Sequence, residues 1–194
     1  MIIKDLINLI SKLPGIGKKT AIRMVYDILS SSDEYAQNLG QSLINLHSSI
    51  RKCKNCYNFT EQEFCDVCTD LNRNKGLVCV VETPQDLEVI ESTREYDGLY
   101  FVLHGHLNPL KDVGPSKLNL DKLAGYVSRL GAQEVVVATE FSIEGDVTAN
   151  YIKSILKDLD INVTRIASGL PVGGSISSSD KITALRAFRL RLKI

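Results

Sequence analysis

Hydrophobic and polar residues change rhythm twice along this chain. Up to residue 52 the apolar positions recur at helical spacing, first as Leu6, Leu9, Ile10 and Leu13. Pro14–Gly17 interrupts them, and a second helix is predicted from Lys18 to Leu29. The serines at 30–32 with Asp33 form a start signal for a third. There Ala36, Leu39, Leu43, Leu46 and Ile50 line one apolar face. Between 53 and 76 the aliphatics thin out and cysteines take their place. From Gly76 the rhythm becomes short apolar runs: LVCVVE (77–82), LYFVLHG (99–105), EVVVATE (134–140) and NVTRIA (162–167). Such runs predict strands buried on both faces. Thr83-Pro84-Gln85-Asp86 is a helix start, with a capping threonine, a proline suited to the first turn and an acid at the positive end. Asn119 opens another helix that stops at Gly131. A last one is predicted from Asp146 to Leu159, with Val147, Tyr151, Ile155 and Leu159 on one face.

Strands alternating with helices predict an α/β fold with a parallel sheet covered on both sides. The chain therefore divides into a helical module (1–52), a cysteine module (53–76), a β/α domain (77–170) and a C-terminal segment (171–194). That last segment opens with PVGGSISSSD, rich in glycine and serine, and closes with ITALRAFRLRLKI. Residues 181–194 hold Lys181, Arg186, Arg189, Arg191 and Lys193 and no acid. The apolar residues Leu185, Phe188, Leu190, Leu192 and Ile194 suit a contact between subunits.

Composition narrows the function. Across 194 residues, 23 Lys+Arg balance 23 Asp+Glu, so any attraction to nucleic acid must come from a local patch. No apolar run is long enough to span a membrane. MIIKDLINLI carries Asp5 and Asn8 where a signal peptide needs an unbroken apolar core, which places the protein in the cytoplasm.

Cys53-x-x-Cys56, eight residues, then Cys65-x-x-Cys68 is the strongest chemical signal. Two such knuckles supply the four tetrahedral ligands of one Zn²⁺ and leave no position open for water, so the metal is structural. Disulfides are the alternative, disfavoured in a reducing compartment. Cys79 sits in an apolar run and reads as a small buried hydrophobe.

Leu13-Pro14-Gly15-Ile16-Gly17-Lys18-Lys19 has a superficial likeness to a phosphate-binding P-loop. It fails that template: Lys12 stands where the first glycine belongs, Lys19 where Ser or Thr belongs, and a helix precedes it in place of a strand. It matches a helix–hairpin–helix. Gly15 and Gly17 bring backbone close to a phosphate, amides at the next helix start face the anion, and Lys18, Lys19 and Arg23 add charge. Binding of this kind is indifferent to sequence and sensitive to salt.

Glu82 follows the first strand of the β/α domain, and Glu144-x-Asp146 lies in the loop after the third. Carboxylates at the carboxyl ends of strands can converge on Mg²⁺. Acids at a helix start are also stabilising by themselves, and spacing does not choose between the two readings. His104-Gly105-His106 has no ligand partner nearby in sequence and reads as a loop.

The order of these motifs, with LPGIG (13–17) and Gly169-Leu170-Pro171-Val172-Gly173-Gly174, resembles the RecR family of bacterial recombination mediators over essentially the whole chain. The resemblance implies a Toprim fold for the β/α domain and no enzymatic activity. It implies action with RecO or RecF, RecA loading at gapped or single-stranded DNA, and dimers and ring-shaped tetramers at the nucleoid. It puts DNA contact on Lys19 and Arg23 and zinc on Cys53, Cys56, Cys65 and Cys68. The Toprim acids are then Glu82, Glu144 and Asp146, serving partner binding more than catalysis. Two features depart from the pattern. Toprim enzymes carry Asp-x-Asp where this chain has Glu144-x-Asp146, and the stretch after PVGG is poor in acids. A Mg²⁺-dependent Toprim nuclease or topoisomerase is the competing expectation.

Overall fold

The computed structural model describes residues 1–191. Leu192, Lys193 and Ile194 of the proposed subunit contact lie outside the described residues. The chain forms two compact units, residues 1–50 and 51–194.

The first unit is three helices: α1 (Ile2–Ile10), α2 (Lys18–Ser30) and α3 (Asp33–Ser49). The start of α3 is as the sequence predicts, with the Ser32 hydroxyl accepting from the Tyr35 amide. Within the unit only Ala21 and Val25, both on α2, are buried. The apolar face of α3 is exposed, Leu43 at 61% and Leu46 at 60%.

The second unit opens with a two-stranded antiparallel ribbon, β1 (Arg51–Lys52) and β2 (Phe59–Thr60), and the single turn α4 (Asp66–Thr69). Then come β3 (Asn74–Val81), α5 (Pro84–Thr93), β4 (Gly98–Val102), α6 (Leu120–Leu130), β5 (Glu134–Ala138), α7 (Ile143–Leu156), β6 (Asn162–Arg165) and α8 (Lys181–Arg189). The sheet is parallel throughout, in the order β4-β3-β5-β6. Alternation along β3 sends Val78 and Val80 to a core shared with α6 and α7, and Cys79 and Val81 to a smaller core under Leu87 of α5. Burial in that smaller core pushes the Cys79 thiol up to about 12, so it stays protonated and packs as a hydrophobe.

The strand order has a functional consequence. The chain leaves β3 toward β4 on one side and returns to β5 on the other. The carboxyl ends of β3 and β5 are thus the point where the winding reverses, the usual place for a site in an open α/β sheet.

Several elements differ from expectation. Helix α7 begins at Ile143 because Ser142 caps it, accepting from the Gly145 amide at 3.1 Å. Glu144 and Asp146 therefore lie in its first turn and not in a loop. The buried side of α7 is Gly145, Thr148, Ile152 and Leu156, while Val147 is 45% exposed. The C-terminal segment, given no element from its sequence, contains a helix: Asp180 caps α8, accepting from the Ile182 and Thr183 amides.

Candidate functional site

Three constellations carry chemistry. In the first, the Sγ atoms of Cys53, Cys56, Cys65 and Cys68 all lie within 4.8 Å of one another. Zinc–thiolate bonds of about 2.3 Å require sulfurs about 3.8 Å apart, so the cluster fits the ion. The surroundings fit thiolate as well, since the Cys65 amide donates to Cys53 Sγ at 3.3 Å. Crowded together, the thiols cannot all ionise alone: hydrogen bonds from Cys56, then Cys65 and Cys68, pull Cys53 down, and the same contact with Cys53 drives Cys56 up. A divalent cation removes that conflict. Apart from the three cysteines Cys53, Cys56 and Cys65, no residue from 51 to 73 is buried. The knuckle also closes an exposed strand edge, because the Val102 amide on β4 donates to the Cys56 carbonyl at 2.8 Å.

The second constellation is the hairpin between α1 and α2. Gly15 holds φ +76, a left-handed conformation that a side chain would strain. The Ile16 amide donates to the Leu13 carbonyl and closes the turn. Helix α2 then starts at Gly17 with no side-chain cap and no acid in its first turn. Its leading amides are open, and Lys18, Lys19 and Arg23 stand exposed beside them. Among the described residues none of the three cations meets a carboxylate.

The third lies at the carboxyl ends of β3 and β5. A cleft of about 550 Å³ is lined there by Glu82, Thr83, Asp86, Glu140, Phe141 and Ile166, among others. Glu82 is 7% exposed and accepts from the Glu140 amide at 3.0 Å. Asp146 accepts from Arg165 at 2.6 Å and from Arg186 at 3.1 Å. Glu144 is half-buried. Among the described residues the one cluster of three or more potential metal-ligating side chains is the cysteine set, so the three acids do not converge on a common point.

Comparison with known proteins matches each constellation. Residues 3–47 match the helix-hairpin-helix family of RecR, and residues 50–70 match the RecR zinc finger domain with four cysteine ligands. Residues 76–167 match the Toprim domain. Recombination protein RecR of Desulfitobacterium hafniense is 46% identical over 190 residues, covering 98% of this chain and 94% of the relative. That of Treponema denticola is 42% identical over 191 residues and 98% of each chain. That of Heliobacterium modesticaldum is 41% identical over 189 residues, 97% of this chain and 95% of the relative. The chain belongs to the RecR family. Its four cysteines are the structural zinc site of the RecR zinc finger, and its β/α domain is Toprim.

The RecR Toprim domain holds several partners that spacing along the chain conceals. His106 lies 3.2 Å from Glu82 through Nδ1, across 24 residues of sequence. The Thr148 hydroxyl accepts from the Leu107 amide at 2.9 Å and donates to the Glu144 carbonyl at 2.8 Å. Gly145, between the two acids, is required by space: a Cβ there would overlap the Glu140 carbonyl oxygen. Finally, Arg165 and Arg186 both stack on Phe141, their guanidiniums 4.7 and 5.2 Å from the ring centre, as they share Asp146. No sequence rule links residues 19 and 40 positions away to one carboxylate.

Proposed function

We propose that this protein is a non-catalytic, DNA-binding recombination mediator. It binds gapped or single-stranded DNA without regard to sequence, acts with RecO, RecF or both to promote RecA loading, and works as a homo-oligomer, a dimer or ring tetramer, in the cytoplasm. One observation carries the reading: the hairpin presents helix amides with no side-chain cap beside three exposed cations that, among the described residues, meet no carboxylate. Phosphate is the ligand that satisfies both. Lys19 and Arg23 are the principal contacts, with Lys18 and the backbone at Gly15 and Gly17 completing the cradle. The names and full-length similarity of the relatives support the recombination role.

The nuclease reading is weaker because its acids are engaged elsewhere. Asp146 is held by two guanidiniums and Glu82 by an amide and His106. The Toprim acids act instead as part of a partner-facing surface around the cleft. No helix among the described residues is long and apolar enough to cross a membrane.

One sample decides between the readings. A fluorescent gapped duplex with Mg²⁺ is titrated with protein, read by anisotropy across a salt series, then run on a denaturing gel. Salt-sensitive binding with intact strands is the expected result. Cleavage abolished by Glu82→Gln would replace the mediator with an enzyme.

A further inference from the structure

A face of the second unit also has the chemistry of a nucleic-acid contact. It lies wholly within the second unit, where the zinc knuckle meets the β4–α6 side of the Toprim domain. Phe59 on β2 is 50% exposed although it stands beside a cluster that has few apolar residues of its own. Its ring leans on His104, centroids 5.1 Å apart and planes tilted by 54°. The pair is held rigidly. His104 takes φ +60, and its Nε2 lies 2.7 Å from the Tyr57 carbonyl, which can only accept. Nε2 therefore carries the proton in that contact; burial lowers the ring's pKa, against the opposing effect of this hydrogen bond and with a smaller push from the charge of Lys52.

Cations frame this aromatic pair. Lys52 is directly opposite Phe59 in the ribbon, so both side chains share one face. Lys122 rides over the ring of Tyr57, whose carbonyl holds His104, 5.5 Å from its centre. Arg129 is tied to Asn55 of the knuckle at 3.0 Å. Lys52, Lys122 and Arg129 are exposed, and among the described residues none meets a carboxylate. Glu63 of the knuckle is taken by Lys54 at 2.7 Å.

We propose that Phe59, with His104 behind it, is a stacking platform for one unpaired base, and that Lys52 and Lys122 hold the flanking phosphates of single-stranded DNA. An aromatic ring between cations is the general device for binding a single strand, because every base has a π face and the backbone is charged throughout. A duplex keeps its bases stacked on one another and cannot use the ring. The hairpin grips phosphate of either form, and this face adds preference for the unpaired strand. The inference rests on the DNA-binding reading above, and the test separates the two.

The zinc-loaded full-length protein is titrated with a labelled oligothymidylate and with a blunt duplex of equal length. Phe59→Ala is expected to weaken the single strand about tenfold, the order of one lost base stack, and to leave the duplex within about twofold. Lys52→Ala with Lys122→Ala should make the single-strand salt slope shallower by about 1.4. Lys19→Ala should weaken both probes. Because the chain has no tryptophan, Phe59→Trp places a sole reporter on the platform, and oligothymidylate should quench its fluorescence while duplex does not. This variant keeps the ring and answers the question even if Phe59→Ala loses zinc. Unchanged affinity and no quenching, with Lys19→Ala still impaired, would overturn the platform alone and hand the face to an acidic protein surface. Equal losses on both probes would also overturn it, as a plain phosphate contact. Wild-type protein that binds neither probe would overturn the DNA reading itself.

Discussion

Asp146 is where the resemblance to metal-dependent Toprim enzymes and the geometry part company, and replacing it with asparagine separates the two roles. The carboxylate accepts from Arg165 on β6 at 2.6 Å and from Arg186 on α8 at 3.1 Å. It is thus the pin that holds the C-terminal helix to the edge of the sheet. A charge-assisted hydrogen bond contributes about 1.5–3 kcal/mol net. The three side chains are 27–39% exposed, so solvent screening brings each bond to the low end of that range or below. Asp146→Asn keeps the shape and removes the charge. It leaves two guanidiniums beside Phe141 without their shared carboxylate, and Arg165 already has a buried Nε with no acceptor among the described residues. A loss of about 2 kcal/mol follows, or about 4–8 °C in Tm for a chain of this length. The damage should be local. Trypsin should cut at Arg186 or Arg189 faster than in the wild type, while the sheet remains protected. A double-mutant cycle with Arg186→Gln should show coupling of about 1 kcal/mol. Unchanged Tm and unchanged tryptic protection would refute the pin, and loss of a Mg²⁺-dependent signal in that same variant would restore the metal reading.

Removing zinc with a strong chelator, or Cys65→Ser, should unfold the knuckle and expose the β4 edge, seen as loss of amide protection at Val102, whose partner is the Cys56 carbonyl; retained protection would show that the metal is dispensable. Gly145→Ala should cost about 3 kcal/mol or more, because the new methyl meets backbone at Glu140 and not a flexible side chain; a Tm within a degree or two of wild type would contradict it. Glu91 is held below its ordinary value of 4.5, first by its hydrogen bond from Arg73 and also by the one that Tyr100 donates at 2.6 Å. Its contribution is therefore complete above that ordinary value and lost as pH falls through the depressed one. Denaturant titrations should show Glu91→Gln flattening the acid limb of the stability profile, and an unaltered limb would assign the acid sensitivity elsewhere.

Much of this architecture is legible in the chain because local rules suffice for it. Thr83 and Asp86 cap α5 reciprocally as their spacing requires, Gly131 ends α6 in the left-handed conformation, and two CxxC knuckles can hardly do anything but meet. The failures share a cause, since each involves a group whose partner is distant in sequence. Helix α7 packs Tyr151 and Ile155 against the core as their spacing predicts, but it also buries Thr148, because the Leu107 amide, 41 residues away, needs an acceptor, and counting apolar residues misses that position. His106 looks idle until β3 brings Glu82 beside it. The carboxylate of Asp146 is free on paper and doubly occupied in space.

The most direct test of the account is the salt dependence of DNA binding by Lys19→Ala with Arg23→Ala. Anisotropy on duplexes of two unrelated sequences, each across a salt series, gives both affinity and slope. Loss of two phosphate contacts should weaken both sequences alike and make the slope of log K against log salt shallower by about 1.8. Unchanged affinity and an unchanged slope would contradict the account, because the hairpin would then not be where this protein holds DNA.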